Sequence, residues 1–283
     1  MAMLFQPGLF CGILGALSEV FSSLVRVIPV HLTRSFTSFS GHGILGALSE
    51  VLSSLVRVTF SVLDNKIKIS GGFGMKFGFC TTFDNYGLLD ELGYDYIELA
   101  GRDVVEYEPS RLDEMAKTIR EGRVKCCGFN SAVPASVPIV GEGASADKTR
   151  EYAKRLCEVG AKLGIGAIGI GSPACRRLPY GYDVPLSNSQ AAEFLSIFCD
   201  VAEAYGIRIL WEHLNPTEAN YGLSWNHGAE LVRRVNKKNM ALVCDLYHID
   251  INRESLRDLE QDPSLIGHVH MAQLEGTARL GLL

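Results

Sequence analysis

Three short segments carry oxygen and nitrogen donors of the kind that hold a hard divalent metal. RILWEHLNPTE contains Glu212, ALVCDLYHI contains Asp245 and His248, and HVHMAQ contains His268 and His270. In each, an apolar run carries or ends on an acid or an imidazole, where burial is costly unless a metal or partner satisfies the group. Carboxylate oxygen together with imidazole nitrogen suits Mn²⁺, Mg²⁺, Co²⁺ or Zn²⁺. All five histidines after Met75 fall between His213 and His270, at or just past these runs. Each residue alone has an ordinary explanation: Glu212 pairs with a Lys or Arg, Asp245 caps a turn, and His248 is a hydrogen-bonded neighbour. Three successive segments ending alike favour the metal, with Glu212, Asp245 and His270 as ligands. Only one histidine of the HVH stretch is expected to face this set, and His270 lies nearer the C-terminal end.

Groups at separate run ends meet only if a fold lines those ends up. From Met75 onward, short apolar runs alternate with helical stretches, the pattern of a parallel sheet wrapped by helices. Strands are expected near residues 76–80, 94–99, 124–129, 167–170, 207–211, 241–244 and 268–271, with helices between them, including 147–163 and 189–205. Gly93, Gly164 and Gly206 stand where a helix ends and the next strand begins. The fold class expected is α/β, a (β/α)₈ TIM barrel truncated after its seventh strand. Residues just past the strand ends of such a barrel face the active site.

Residues 1–74 read differently and are expected to be an unrelated extension, not native or poorly ordered, with the incomplete barrel at 75–283. GILGALSEVFSSLVRV at 12–27 returns at 43–58 with the single change Phe21 to Leu52. Each copy patterns as a short amphipathic helix, but an architectural repeat normally needs three or more units. A hairpin is expected near 58–70, and translation from Met75 would dispense with all of this segment. The uncharged first 18 residues lack the basic start of an export signal, and Pro7 and several glycines interrupt them. A net charge of −5 with both signs interspersed argues against nucleic acid as a partner, and no membrane partner is expected. Eight scattered cysteines without a C-x-x-C pair read as reduced thiols of a cytoplasmic protein.

The segments EHLNPTE from Glu212 to Glu218, DLYH from Asp245 to His248 and GHVH from Gly267 to His270 resemble the xylose-isomerase-like sugar epimerases, most closely the ketose 3-epimerases of the tagatose and psicose type. The resemblance implies a metal-dependent isomerase or epimerase of carbohydrate metabolism, with a sugar or sugar phosphate as partner and room for a homo-oligomer. It implies that Glu212, Asp245 and His270 bind metal, that Glu212 also takes the proton next to the carbonyl, and that an enediolate follows. His248 and Glu218 would touch substrate hydroxyls or metal-bound oxygens, and Asn215 fills the Asn position of E-x-x-N-x-x-E. Two departures stand out. The family's Arg six residues after the seventh-strand His is Gly276 here, and its fourth ligand, a Glu on an eighth strand that serves as the second carboxylate, has no counterpart. The alternatives are an inactive barrel fragment and an endonuclease IV-like repair protein; the latter needs His ligands from early strands, which hold none. After the fourth strand, Cys175-Arg176-Arg177 offers either a phosphate or carboxylate site or solvated arginines.

Overall fold

Seven short runs rich in Ile, Val, Leu and Cys pair side by side in chain order, each joined to the next by helical crossovers. They are β1 (Gly78–Cys80), β2 (Tyr96–Ala100), β3 (Lys125–Asn130), β4 (Ala167–Ile170), β5 (Arg208–Glu212), β6 (Met240–Asp245) and β7 (Ile266–His270). Every neighbouring pair is parallel. The computed structural model describes residues 76–275 and 278–280. The hairpin near 58–70 and the helices expected in the duplicated copies lie outside those residues.

The helices are α1 (Tyr86–Leu92), α2 (Gly101–Val104), α3 (Pro109–Glu121), α4 (Ala146–Leu163), α5 (Val184–Glu203), α6 (Trp225–Val235), α7 (Leu246–Asn252) and α8 (Leu256–Glu260). α5 starts earlier than its apolar pattern suggests. Asp183 accepts a bond from the Leu186 backbone N–H at 2.7 Å, and Pro185 fits the first turn, where its missing N–H costs nothing. Gly93 and Gly164 close α1 and α4 at φ +84° and +76°, a conformation that a side chain would strain.

Strand alternation divides the core into two layers. Ile97, Leu99, Phe129, Ile168, Ile170, Ile209, Trp211, Leu242 and Cys244 belong to the large apolar cluster that includes the buried faces of the helices. Leu210, Ala241 and Val243 form a separate small cluster on the other side of the sheet. Glu212 and Asp245 continue that inner face, two residues beyond Leu210 and Val243. In a flat sheet β1 and β7 would lie roughly 29 Å apart. Instead Cys80 Sγ on β1 and His270 Nε2 on β7 are 4.0 Å apart, so the sheet curls into most of a barrel. Among the described residues no eighth parallel strand pairs with it; Gln273–Glu275 and Ala278–Leu280 form an antiparallel pair of their own. No described helix is long and apolar enough to cross a membrane.

Candidate metal centre

β5, β6 and β7 deliver Glu212, Asp245 and His270 to one place. One donor atom from each of the three side chains lies within 4.8 Å of the others. Glu212 Oε1 is 2.9 Å from His270 Nδ1. Asp245 is wholly buried; its Oδ1 accepts the Tyr247 backbone N–H at 2.8 Å and so caps α7, while Oδ2 stands 3.6 Å from His248 Nε2. The cap and the polar cluster are thus two uses of one carboxylate. Room for Glu212 comes from Gly171, the residue just past β4: a Cβ there would lie 1.6 Å from Glu212 Oε2.

Two bulges set the phase of the side chains. Between β6 and β7 the register passes from Leu242↔Ile266 to Val243↔His268, leaving Gly267 without a partner. A one-residue slip moves every later side chain to the opposite face. Because His268 and His270 are two residues apart, they share the inner face. The expectation that only one would turn inward is therefore corrected. His268 Nε2 is 2.5 Å from Glu98 Oε1, and His270 Nε2 is 3.1 Å from Glu98 Oε2. The second bulge, between β2 and β3, skips Cys127.

Glu98, near the end of β2, is the group the sequence reading missed. It is 4% exposed and sits across His270 from Glu212. The thiols of Cys80 and Cys127 also donate to it, at 3.6 and 3.5 Å. Burial opposes ionisation of Glu98, yet the His270 charge and the bonds from both histidines hold its carboxyl well below the usual range. Burial likewise opposes protonation of His270, and the charges of Glu98 and then Glu212 outweigh it and hold the imidazole well above its ordinary value. A signal was present: a lone Glu between Ile97 and Leu99 must face away from the apolar layer they join.

The residues expected to touch substrate form a layer beside the carboxylates. Asn215 is fully buried and committed to its neighbours. Its Nδ2 lies 3.0 Å from His248 Nδ1 and 3.2 Å from Glu218 Oε1, and its Oδ1 accepts the Thr217 N–H at 2.9 Å. Asn215 therefore orients His248 and Glu218. Arg176 is neither an anion site nor solvated, which corrects both readings of the Cys175-Arg176-Arg177 run for that residue, whereas Arg177 is exposed. It is fully buried, stacks over Trp211 at 3.9 Å, and donates to the carbonyls of Glu212 and Ile170 at 2.8 and 2.6 Å. It ties the end of β4 to the end of β5 directly behind the Glu212 carboxylate.

The donor set suits a divalent cation. Two buried carboxylates and an imidazole converge on one point, and oxygen with nitrogen donors is what Mn²⁺, Co²⁺ or Zn²⁺ takes. A curled parallel sheet with acids and imidazoles gathered at its C-terminal strand ends is an α/β barrel with a polar centre at its carboxyl face. The chain belongs to the xylose isomerase-like TIM barrel family, which it matches over residues 87–279.

Named relatives agree with that placement. A D-psicose 3-epimerase of Agrobacterium fabrum is 25% identical over 187 residues, and the match covers 65% of this chain and 64% of that protein. The chain thus spans just under two thirds of that relative's length. An inosose isomerase of Halalkalibacterium halodurans is 25% identical over 214 residues, covering 69% and 70%. Among solved structures, a D-psicose 3-epimerase crystallised in the presence of D-fructose superposes with TM-score 0.62 at 23% identity, covering 73% of this chain and 77% of that one. The IOLI protein with a bound zinc atom superposes with TM-score 0.57 at 21% identity, covering 74% and 76%.

Proposed function

We propose that the chain is a metal-dependent sugar isomerase or epimerase that abstracts a proton next to a carbonyl. The observation that carries this reading is the convergence of Glu212, Asp245 and His270 from three adjacent strand ends. The naming of the relatives as epimerases and isomerases, and the zinc in a structural neighbour, support it.

Glu212, Asp245 and His270 would hold the ion, which supplies Lewis-acid stabilisation of negative charge developing on a substrate oxygen. Glu212 Oε2 points toward Gly171, where there is no side chain, and Glu212 serves as the base. His248 and Glu218, held in place by Asn215, present a donor and an acceptor to the hydroxyls of the sugar. Arg176, stacked on Trp211, donates to the Glu212 carbonyl and so fixes the backbone that carries the carboxylate.

The test is uptake of deuterium from heavy water at the carbon next to the carbonyl of D-psicose, D-fructose, D-tagatose or an inosose, with Mn²⁺, Mg²⁺, Co²⁺ or Zn²⁺ added in turn. Exchange should require a metal and should fall by about 10²–10⁴-fold in Glu212→Gln, because an amide accepts no proton. Equal exchange in the variant, or none with any metal, overturns the proposal.

A further inference from the structure

Glu98 has no part in the reading above, although two imidazoles and two thiols converge on it. We infer that Glu98 is the positioning residue of the metal centre: it accepts the Nε2–H of His270 and so turns the Nδ1 lone pair toward Glu212 and Asp245. This rests on the metal reading and extends it to a residue on the opposite side of the barrel.

The geometry is directional. An imidazole that binds a metal through one nitrogen carries its proton on the other, and that N–H needs an acceptor that fixes ring and tautomer. His270 Nδ1 faces the Glu212 side at 2.9 Å, and Nε2 faces Glu98 Oε2 at 3.1 Å. Glu98 is itself immobilised: His268 holds Oε1 at 2.5 Å, and the Cys80 and Cys127 thiols stand 3.6 and 3.5 Å from its two oxygens. A carboxylate fixed at three points besides His270 has little freedom to follow the ring, so the ring follows the carboxylate. His268 is then one of the supports of Glu98, which gives its inward turn a purpose. The bulge at Cys127 brings that thiol within reach of the same carboxylate.

A rival arrangement shares these atoms. Cys80, Glu98 and the Nε2 of His270 also lie close enough together to hold an ion, which would make Glu98 a ligand. Cobalt separates the two, because a thiolate bound to Co²⁺ gives an intense near-ultraviolet charge-transfer band that oxygen and nitrogen ligands do not.

The experiment titrates the full chain with Co²⁺, following heat and absorbance together, for the native protein, Glu98→Gln, Glu98→Ala and Cys80→Ser. Circular dichroism checks that each variant folds. The native protein should bind one ion without a thiolate band. Glu98→Gln, which keeps the shape and an acceptor but loses the charge, should bind about tenfold more weakly, and Glu98→Ala up to about a hundredfold. Cys80→Ser keeps a donor to Glu98 and should show the same spectrum as the native protein, without a thiolate band. A thiolate band that vanishes in Cys80→Ser overturns the inference, since the ion then sits on Glu98. Unchanged affinity in a folded Glu98→Gln and Glu98→Ala overturns it while leaving the metal centre intact. Absence of binding by the native protein removes the metal centre and this inference together.

Discussion

Gly171 shows how closely the site depends on a missing side chain. A Cβ there would lie 1.6 Å from Glu212 Oε2 and 2.8 Å from its Cδ, so the carboxylate must swing away from any larger residue. Gly171→Ala should therefore fold with a melting temperature within a few degrees of the native protein, yet bind metal and exchange deuterium at least about tenfold more weakly. Calorimetry and the exchange assay measure the two quantities separately; a variant that kept both would show that Glu212 works from another rotamer. No property of the sequence GIGSPA marks this glycine as special. The three groups Glu212, Asp245 and His270 were legible because each belongs to a segment with its own motif. Glu98 was missed although its place between Ile97 and Leu99 turns it inward, because the imidazole of His270 that meets it lies 172 residues further along the chain. Arg176 was misread for a related reason: an arginine beside a second arginine looks solvated until the two carbonyls that bury it are known.

At the scale of the strand, register decides which side chains count. The periods of β4, β5 and β6 could be read within a residue or two from their apolar runs, since both faces of these strands are covered. A bulge leaves no such mark, and β7 depends on one. Gly267 is the unpaired residue, and a Cβ on it would meet Leu210 Cδ2 at 2.6 Å and Ala241 Cβ at 2.9 Å. Gly267→Val should lift β7 off β6, cost about 1–3 kcal/mol of stability, and weaken metal binding by disturbing His268 and His270 together. Denaturant melts and cobalt titration of this variant test the point. Wild-type affinity in a destabilised protein would mean that β7 re-registers without moving the histidines.

For the whole molecule, two histidines in opposite environments set the response to pH. Burial pushes His213 down to about 4 from an ordinary 6.5. The unfolded chain therefore gains a proton there that the folded chain refuses, and stability falls as pH drops below about 6.5. His270 is raised well above 6.5 despite its burial, by Glu98 and then Glu212. Its contribution is complete below 6.5 and is lost as pH rises through the folded value. Glu98, held well below 4.5, contributes stability that is complete above about 4.5 and is lost as pH falls below it, so it adds to the acid decline. Metal-free protein should thus melt highest near pH 6.5 and lower on either side. Bound metal takes the place of the Nδ1 proton, so it should abolish the alkaline decline and bind more tightly as pH rises. Melting curves with and without metal across that range decide it; a metal-free optimum well above pH 8 would contradict the assignment. The 172-residue separation between Glu98 and His270 also has a consequence in time. A ribosome adding about 5–20 residues per second makes the acid some 9–34 s before the imidazole that neutralises it. Throughout that interval the nascent sheet carries an inward carboxylate whose two imidazole partners do not yet exist. β1 to β6 can collapse only with Glu98 protonated or still wet, and the arrival of β7 supplies the imidazoles that let it be buried as an ion.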